Sequence, residues 1–523
     1  MAPLRVFLAA VLVFHGILHG QTRQISADAA HPAGAHSGVP LFCVGAGRAS
    51  EALYPEWQAQ LATLQREIGF HYLRFHGILS DEMGLYKEDP NGNPVYDFTK
   101  VDKVYDILLA RHIKPFVELT FMPKALASGT HTIFWYSANV TPPKDMQKWQ
   151  ALIRELTKHW IARYGLPEVQ SWYFEVWNEP DYPSFFFGTI QQYFDLYRAT
   201  ATTLKEVCPA CRVGGPATSN PSDTRFLTFL NASHTPIDFY STHTYGVLKL
   251  GTDAQGRIGS ALDPSPDSVT RHLRALREQI DRSANPQLPI HLTEWSSSYL
   301  PDDFFHDQYG SASFILDHVR RGSAYTASMS YWIFTDIFEE RGPQTKPFYG
   351  GFGLFNLEGI RKPSFFAYKY LAQLGPTDLA TTDPANQSWI TITPGAEQPS
   401  VQALFWDYTP ISPPSGQIDQ TFYKKEIPAP PVAPIDLTLE HLASGLYTVT
   451  VYRTGLDHND PFTAYLRMGS PATLTPSQRD ELQTKAAGAP IETRAITIKD
   501  GTFHQQFPMN QNDVYFVTLT PAR

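Results

Sequence analysis

The chain carries little charge for its length, since only 18% of its 523 residues are Asp, Glu, Lys or Arg. Its 51 acidic residues outnumber its 42 basic residues, which gives a net charge of −9 and an isoelectric point near 6.0. An acidic surface repels phosphate backbones and anionic lipid headgroups. We therefore expect neither a nucleic-acid partner nor a membrane partner.

Cysteine is also scarce, with three residues at positions 43, 208 and 211. Three are too few for a fold held together by disulfides. Cys208 and Cys211 have the spacing of a redox motif, but they lie between a helical pattern and a strand rather than at the start of a helix. The sequence leaves a local disulfide and two inert thiols as open alternatives.

A long apolar run occurs only at the N-terminus. One basic residue, Arg5, precedes the apolar run 6–14, and the polar Gln21 follows Gly20. This pattern is typical of a secretory signal peptide, and the run is short for a membrane span. We predict a signal peptide at residues 1–20 and an exported protein, either periplasmic or secreted.

Motifs for nucleotides and metals are missing as well. The chain has no glycine-rich phosphate loop, and His131, His234 and His243 lack both helical His-x-x-x-His spacing and a neighbouring cysteine pair. Zinc sites depend on such spacing. We therefore predict no metal site and no cofactor.

From about residue 39, short apolar runs alternate with amphipathic helical patterns, which is typical of βα repeats. The candidate strands number eight, as in a (β/α)8 barrel, and are 40–44, 72–77, 114–120, 172–177, 212–215, 238–244, 290–295 and 329–335. After about residue 374, β-branched residues alternate with period two, which indicates a β-sandwich. We predict a (β/α)8 (TIM) barrel over 38–374 and a C-terminal β-sandwich over 375–523, which can recruit residues 22–37.

Two of the candidate strands end in a glutamate in a similar setting. The fourth strand leads into Asn178 and Glu179, and the seventh ends at Glu294. Catalytic residues of such barrels lie at the carboxyl ends of the strands, and a pair of carboxylates is what cleaves a glycosidic bond. We predict that Glu179 is the acid/base, with a pKa raised by apolar neighbours, that Glu294 is the nucleophile, and that Asn178 binds the sugar 2-OH.

Together with further stretches, these motifs resemble glycoside hydrolase family 39, the β-xylosidases and α-L-iduronidases. The stretches are YLRFHG (72–77), FEVWNEP (174–180), STHTYG (241–246), TEW (293–295), SYWIFTDIFEE (330–340), GGFGLFNLEGIRKP (350–363) and AYLRMGSP (464–471). They span nearly the whole chain after the predicted signal. The resemblance implies a retaining (β/α)8 glycosidase.

The resemblance also implies roles for residues at other strand ends. His243 and Tyr245 would flank Glu294 and hold it ionised and oriented. His76 would bind sugar hydroxyls.

Further implied roles concern the sugar-binding wall after the seventh and eighth strands. Either Trp332 or Trp295 would present a ring face to the innermost sugar. Either Glu339 or Glu340 would accept hydrogen bonds from distal hydroxyls.

The substrate is predicted from the residues that neighbour each glutamate. The stretch LTEWS around Glu294 looks more like the β-xylosidases, whereas Asp181 is a residue seen in iduronidases. An iduronidase requires a cation for the uronate carboxylate, and no unambiguous Arg or Lys stands at a predicted strand end. We predict a β-xylosidase acting on xylo-oligosaccharides. The alternatives are an α-L-iduronidase-like or other exo-glycosidase of this family and a non-catalytic carbohydrate-binding protein, and a homo-oligomer is left open.

Overall fold

The computed structural model describes residues 22–395, 398–413 and 417–522. The predicted signal peptide at 1–20 lies outside these residues. Across the described ranges, no helix combines the length and the apolar composition needed to cross a membrane.

The secondary-structure elements are numbered in chain order. The strands are β1 (Arg23–Ala35), β2 (Cys43–Arg48), β3 (Tyr72–His76), β4 (Tyr86–Glu88), β5 (Pro94–Tyr96), β6 (Lys114–Glu118), β7 (Thr132–Ile133), β8 (Ala138–Asn139), β9 (Tyr173–Glu175), β10 (Arg212–Thr218), β11 (Phe239–His243), β12 (Val247–Thr252), β13 (Ile258–Leu262), β14 (Ile290–Trp295), β15 (Ser328–Tyr331), β16 (Thr377–Thr382), β17 (Ser388–Thr393), β18 (Ser400–Trp406), β19 (Pro431–Glu440), β20 (Gly445–Thr454), β21 (Glu492–Ile498), β22 (Phe503–Asn510) and β23 (Val514–Pro521). The α-helices are α1 (Pro55–Glu67), α2 (Thr99–Leu109), α3 (Met146–Tyr164), α4 (Leu166–Gln170), α5 (Ile190–Val207), α6 (Arg225–Ser233), α7 (Thr270–Asp281), α8 (Gly310–Gly322), α9 (Pro363–Ala372), α10 (Pro461–Arg467) and α11 (Pro476–Lys485).

Eight parallel strands of the described chain close into a barrel in the order β2-β3-β6-β9-β10-β11-β14-β15. They are the eight strands predicted from the sequence, with ends that differ by up to four residues. The largest difference is in β2, because Pro40 lies in a short 3-10 turn and the strand continues through Gly45. A Cβ on Gly45 would come within 2.7 Å of the Trp332 ring, so this glycine permits a close approach. The barrel prediction is confirmed.

Aromatic side chains fill the amino-terminal end of the barrel. The rings of Phe116 and Tyr173 stack with centroids 5.1 Å apart, and Phe42, Phe239 and His291 pack around them. Aromatic side chains bury large apolar areas and so close this end of the barrel to solvent. Arg74 of β3, Glu118 of β6 and Glu175 of β9 lie above this layer, toward the carboxyl ends of the strands.

The helices outside the barrel have the apolar faces that the sequence predicts. Trp57, Leu61 and Leu64 of α1 are buried, and the same holds for Leu273 and Leu276 of α7. Apolar residues spaced three and four apart lie on one side of a helix and pack against the strands. The helical pattern before Gly165 forms α3, which ends at that glycine.

The C-terminal domain is one sheet that folds over on itself. Within the described residues its nine strands run in the order β21-β20-β23-β18-β17-β16-β1-β19-β22. Phe405 of β18 and Phe507 of β22 lie far apart in that order, yet their ring centroids are 5.2 Å apart, and Phe507 also approaches Tyr515 of β23. The end strand β22 therefore faces β18 and β23 across a common core, which gives the two layers of the predicted β-sandwich.

Strand β1 is an interior strand of this sheet. It pairs antiparallel with β16 and parallel with β19, and Arg23 forms an ion pair of 2.7 Å with Asp383. Ile25 and Ala27 point into the sheet core. A segment that precedes the barrel in sequence is thus part of the domain that follows it.

Two insertions lie over the carboxyl ends of the barrel strands. One is the hairpin β12–β13, which follows β11 directly. The other is the proline-rich segment between β18 and β19, which is fixed to the barrel by hydrogen bonds from Gln308 Nε2 to the Tyr423 carbonyl (2.7 Å) and from the Tyr309 hydroxyl to the Pro428 carbonyl (3.2 Å). The C-terminal domain therefore reaches the rim of the barrel.

Candidate active site

A cleft of about 440 Å³ opens at the carboxyl ends of the barrel strands. It is lined by His76, Glu179, Tyr182, Phe185, Ser219, Tyr245, Leu250, Glu294, Tyr299, Trp332, Glu340 and Phe352. These side chains come from the ends of several different strands and the loops after them. This is the end at which (β/α)8 barrels carry their chemistry.

The two glutamates predicted from the sequence meet in this cleft. One carboxylate oxygen of Glu179, one of Glu294 and a ring nitrogen of His243 all lie within 4.8 Å of one another. Only 12% of the Glu179 side chain and 6% of the Glu294 side chain are exposed. Two carboxyl groups this close cannot both ionise without a cost, so one of them is held protonated unless a cation compensates.

Glu179 has the surroundings of the protonated partner. Burial, the charge of Glu294 and the charge of Asp181 raise the pKa of Glu179 well above its ordinary value. Its carboxyl oxygen Oε1 lies 2.8 Å from Nδ1 of His243. Burial and the nearby guanidinium of Arg74 lower the pKa of His243 well below its ordinary value, so this imidazole is neutral.

The neutral imidazole of His243 can hydrogen-bond Glu179 whether that carboxyl group is protonated or ionised. Its other nitrogen, Nε2, lies 3.1 Å from the Thr293 hydroxyl. Because a hydroxyl can donate or accept, Thr293 supports both tautomers of the ring. His243 can therefore accept a hydrogen bond from protonated Glu179 or donate one to ionised Glu179.

Glu294 has two strong donors instead. Arg74 Nη1 donates to Oε1 at 2.7 Å, and the Tyr245 hydroxyl donates to Oε2 at 2.8 Å. Hydrogen bonds from a guanidinium and a phenol favour the ionised form of a carboxyl group and fix its orientation. The structure thus places Tyr245 beside Glu294, whereas His243 hydrogen-bonds Glu179.

Arg74 is the residue that the sequence analysis missed. It is fully buried on β3 and donates to Glu175 at 2.6 Å and to the amide oxygen of Asn178 at 2.8 Å, and it forms an ion pair of 2.6 Å with Glu118. Arginine has donors only, so the oxygen of the Asn178 amide faces Arg74 and its Nδ2 faces away. Among the described residues, that Nδ2 has no partner. The available signal was a cation within the otherwise apolar strand 72–77.

His76 is held by Glu118, a second residue that was not predicted. Its Nδ1 lies 2.9 Å from the Glu118 carboxylate, and its Nε2 lies 3.8 Å from Glu294 and 3.7 Å from Glu340. Burial opposes protonation of His76, but the carboxylates of Glu118 and Glu294 raise its pKa above the ordinary value. His76 therefore presents an N–H to the cleft.

The structure distinguishes between Glu339 and Glu340. Glu340 lines the cleft, and burial together with the charge of Glu294 raises its pKa to about 8, although His76 opposes the shift. Glu339 instead pairs with Arg48 and accepts a hydrogen bond from the Tyr54 hydroxyl at 3.2 Å. Glu339 is thus not among the residues that face the cleft.

The two tryptophans are distinguished in the same way. Trp332 lines the cleft, and its ring centroid is 4.9 Å from that of His76. Trp295 is completely buried between the barrel and α8, with Phe314 and Tyr331 around it. The alternative that Trp295 faces the sugar is therefore wrong. Glu294 points into the barrel, and successive side chains of a strand point to opposite faces.

Asp181 does not line the cleft either. Its two carboxylate oxygens accept hydrogen bonds from the backbone N–H of Ser219 at 2.9 Å and from the Ser219 hydroxyl at 2.8 Å. The backbone N–H of Glu179 donates to the Ala217 carbonyl at 2.9 Å. Asp181 thus fastens the loop that carries Glu179 to the end of β10.

Two groups of side chains bring possible metal-ligand atoms within 4.8 Å of one another. They are His76, Glu118 and Glu294, and Glu179, His243 and Glu294. In both groups Glu294 already bonds Arg74, and in the first Glu118 does so too. The guanidinium supplies the positive charge that these buried carboxylates require. That no metal or cofactor takes part remains a prediction.

Cys208 and Cys211, which follow α5, form a disulfide. Cys43 is free and buried in the barrel. None of the three lies in the cleft, so the disulfide is local and belongs to the turn between α5 and β10.

Comparisons with known proteins give a consistent result. A family model described as glycosyl hydrolases family 39 matches residues 24–502. A β-xylosidase of Caldicellulosiruptor saccharolyticus is 38% identical over 448 residues, which cover 84% of this chain and 86% of that protein.

Two solved structures are similar over nearly the whole chain. A GH39 enzyme of Xanthomonas axonopodis pv. citri is 40% identical, with a TM-score of 0.93 over 98% of this chain and 100% of that one. A monomeric β-xylosidase of Caulobacter crescentus CB15 is also 40% identical, with a TM-score of 0.91 over 96% of this chain and 100% of that one.

Proposed function

The chain belongs to family 39 of the glycosyl hydrolases, and we propose that it is a retaining β-xylosidase that releases xylose from xylo-oligosaccharides. Family membership confirms the resemblance found in the sequence motifs and makes the protein an O-glycosyl hydrolase. The mechanism is carried by one observation, that one carboxylate oxygen of Glu179 lies within 4.8 Å of one carboxylate oxygen of Glu294. Retaining glycosidases have carboxyl groups about 5–5.5 Å apart, whereas inverting enzymes leave about 6.5–9.5 Å for a water molecule.

In the first step Glu294 attacks the anomeric carbon and the bond to the leaving oxygen breaks. Glu179, protonated because of its raised pKa, gives its proton to that oxygen. In the second step Glu179, now ionised, removes a proton from water, and the water oxygen displaces Glu294. Two inversions at the same carbon leave the anomeric configuration unchanged.

The residues around the two glutamates support these steps. Arg74 and Tyr245 donate hydrogen bonds to Glu294 and fix its orientation, and His243 can bond Glu179 in both protonation states of Glu179. Asn178 is proposed to donate from its free Nδ2 to the oxygen of the sugar 2-OH, a contact that strengthens in the transition state.

The sugar itself is proposed to lie against Trp332, with His76 and Glu340 bonding its hydroxyls. Within the described part of the chain, the residues that line the cleft include no Arg or Lys. His76 faces the cleft, but Glu118 already pairs with it at 2.9 Å. A uronate carboxylate would therefore be buried without a free cation, which is costly and argues against an iduronidase. Xylose carries hydroxyls but no carboxylate. It therefore suits a cleft in which Glu340 at the inner end can hydrogen-bond a sugar hydroxyl.

A panel of chromogenic glycosides tests this proposal. We expect turnover of 4-nitrophenyl β-xyloside well above that of the matching hexosides and α-L-iduronide, and NMR of the first product should show the β-anomer. Glu294→Gln is the matched control, since it keeps the shape of the side chain and removes the nucleophile. If wild type and Glu294→Gln were equally inactive on every glycoside, the protein would be the carbohydrate-binding alternative, and a first-formed α-anomer would refute retention.

The site of action and the assembly are part of the proposal. An export signal at residues 1–20 would be removed after Gly20, so we expect Gln21 as the first residue of the mature protein. N-terminal sequencing of protein from the periplasm or medium checks this. A homo-oligomer is left open, and size-exclusion chromatography with light scattering tests for it.

A further inference from the structure

The cleft has two chemically different ends. The inner end holds His76, Trp332 and Glu340, whose polar groups suit sugar hydroxyls. The outer end is made by Tyr182, Leu250 and Tyr299, which are 49%, 51% and 41% exposed. Scattered exposed apolar residues need no explanation, but three that line one catalytic cleft give its outer end an apolar lining.

The outer end lies on the side of the proton donor. The backbone N–H of Tyr182 donates to the Glu179 carbonyl at 3.0 Å, so Tyr182 sits in the same turn as the acid. The ring of Tyr299 packs edge-on against that of Tyr245, with 5.7 Å between the ring centroids. Because Glu179 protonates the oxygen of the leaving group, the surface beside it receives that group.

Leu250 belongs to the hairpin β12–β13, and the next residue of the strand faces the other way. Gly251 pairs with Gly259 across the hairpin. A Cβ on Gly251 would come within 2.8 Å of Ile418 Cδ1, and a Cβ on Gly259 would come within 2.6 Å of Gln420 Cγ. The paired glycines therefore form a notch in which the proline-rich segment of the C-terminal domain is seated.

We propose that Tyr182, Leu250 and Tyr299 bind the leaving group through its ring face, and that Ile418 and Gln420 act as positioning residues that hold Leu250 in the cleft. Successive residues of a strand point to opposite faces. Leu250 therefore faces the cleft while Gly251, the next residue of β12, faces Ile418, so the contact with Ile418 can fix the position of Leu250. The ligand chemistry is a six-membered ring with an apolar face, which an aryl group and a second xylose unit share. The inference rests on the proposed function.

The test compares substrates that differ only in the leaving group: 4-nitrophenyl β-xyloside, xylobiose and β-xylosyl fluoride. Fluoride has no ring, so its departure does not use the outer end of the cleft. We expect Leu250→Ala to lower kcat/KM for a ring-bearing substrate about tenfold and to leave the value for the fluoride unchanged. A loss on the aryl substrate alone, on xylobiose alone or on both supports the surface and identifies which ring it binds. Equal values on all three substrates, or an equal loss on the fluoride, overturn it.

Ile418→Ala should reproduce the effect of Leu250→Ala in a weaker form, about threefold. If Ile418 acts through Leu250, the double variant should be no worse than Leu250→Ala alone, whereas independent effects would multiply and would overturn the positioning role. Ile491→Ala is the matched control, because Ile491 is an exposed isoleucine of the same domain. Ile418→Val provides a milder variant should Ile418→Ala unfold. Wild-type protein that cleaves none of the xylosides would refute the proposed function, whereas active wild type with unchanged variants would refute only the inference.

Discussion

At the scale of single residues, the cleft separates two chemically identical side chains into two roles. Glu179 contacts a neutral imidazole and the negative field of Glu294 and Asp181, whereas Glu294 receives Arg74 and Tyr245. The same carboxyl group thus has a raised pKa in one place and two strong hydrogen-bond donors in the other. This division is what a double displacement requires.

Removal of the proton donor should have an effect that depends on the leaving group. Glu179→Ala should lower kcat/KM on xylobiose, a poor leaving group, by about 10²–10⁴-fold, and by much less on 2,4-dinitrophenyl β-xyloside, which needs no proton. Azide, small enough for the space left by the side chain, should restore turnover and give the β-azide.

Steady-state kinetics and NMR of the azide adduct measure both effects. Similar losses on both substrates would contradict the acid role, and an α-azide would contradict the position of Glu179 opposite the nucleophile.

Asp181 should control the pH range of activity. Its charge raises the pKa of Glu179, so Asp181→Asn should lower that pKa and Glu179 should lose its proton at lower pH. The alkaline limb of the pH profile of kcat/KM should therefore move to lower pH.

The exposed Asp195 on α5 offers a control of the same chemistry, Asp195→Asn, which should leave the profile unchanged. An alkaline limb in Asp181→Asn that coincides with wild type would show that the charge of Asp181 does not reach Glu179.

The sequence located residues at strand ends better than residues within strands. Glu179 and Glu294 stand out because each ends an apolar run. Arg74, Glu118 and Glu175 lie inside the predicted strands 72–77, 114–120 and 172–177. A position inside a predicted strand does not reveal which other strand is its neighbour in space. The exclusion of Trp295 could have been predicted, because it follows an inward-facing Glu294 and strand side chains alternate.

At the scale of secondary-structure elements, one guanidinium ties four barrel strands together. Arg74 on β3 bonds Glu118 on β6, Glu175 on β9 and Glu294 on β14. The first three strands are neighbours, while β14 lies elsewhere in the ring. The contact therefore joins opposite walls of the barrel directly beneath the cleft.

Loss of that guanidinium should destabilise the barrel as well as inactivate it. Arg74→Met leaves three buried carboxylates without their cation, and breaking a buried ion pair costs about 3–5 kcal/mol. Urea unfolding followed by tryptophan fluorescence should show this loss. Arg74→Lys keeps the charge but not the planar fork, so it should recover part of the stability and little of the activity. Equal stability of wild type and Arg74→Met would contradict this account.

The elements themselves were largely predictable, because barrel strands and helices differ in the period of their apolar residues. In α11, Thr475 and Gln478 form a capping box, which is a local pattern that marks the start of a helix. The place of the hairpin β12–β13 was not predictable. The paired glycines of the hairpin contact a segment about 160 residues later in the chain. A contact between residues so far apart in sequence cannot be predicted from a local pattern.

At the scale of the whole molecule, the two domains share one continuous chain path in an unusual order. The sheet begins with β1, is interrupted by the complete barrel, and resumes at β16. The proline-rich segment then returns from the sheet to the barrel rim, where Ile418 meets the hairpin. The C-terminal domain is therefore connected to the barrel twice. The chain passes directly from β1 into the barrel, and the proline-rich segment between β18 and β19 contacts the barrel rim.

A substitution in β1 should weaken the molecule without changing its chemistry. Ile25 is 1% exposed in the sheet core, so Ile25→Ala should lower the free energy of unfolding by about 2–5 kcal/mol. The folded enzyme should keep the wild-type kcat/KM, because β1 is remote from the cleft. Urea unfolding with Ile491→Ala as the exposed control measures the difference, and equal unfolding curves for the two variants would show that β1 contributes little.

The position of β1 also sets an order of events during protein synthesis. Arg23 emerges from the ribosome near the beginning, yet its parallel neighbour Ile435 is made only after the entire barrel. The barrel can complete its ring of hydrogen bonds while β1 still has both edges free, and the sheet closes last. A nascent chain halted after α9 would thus hold a formed barrel with an unpaired, β-competent tail. Strand β1 is therefore a segment that stays unpaired, and open to a chaperone, for most of the synthesis of the chain.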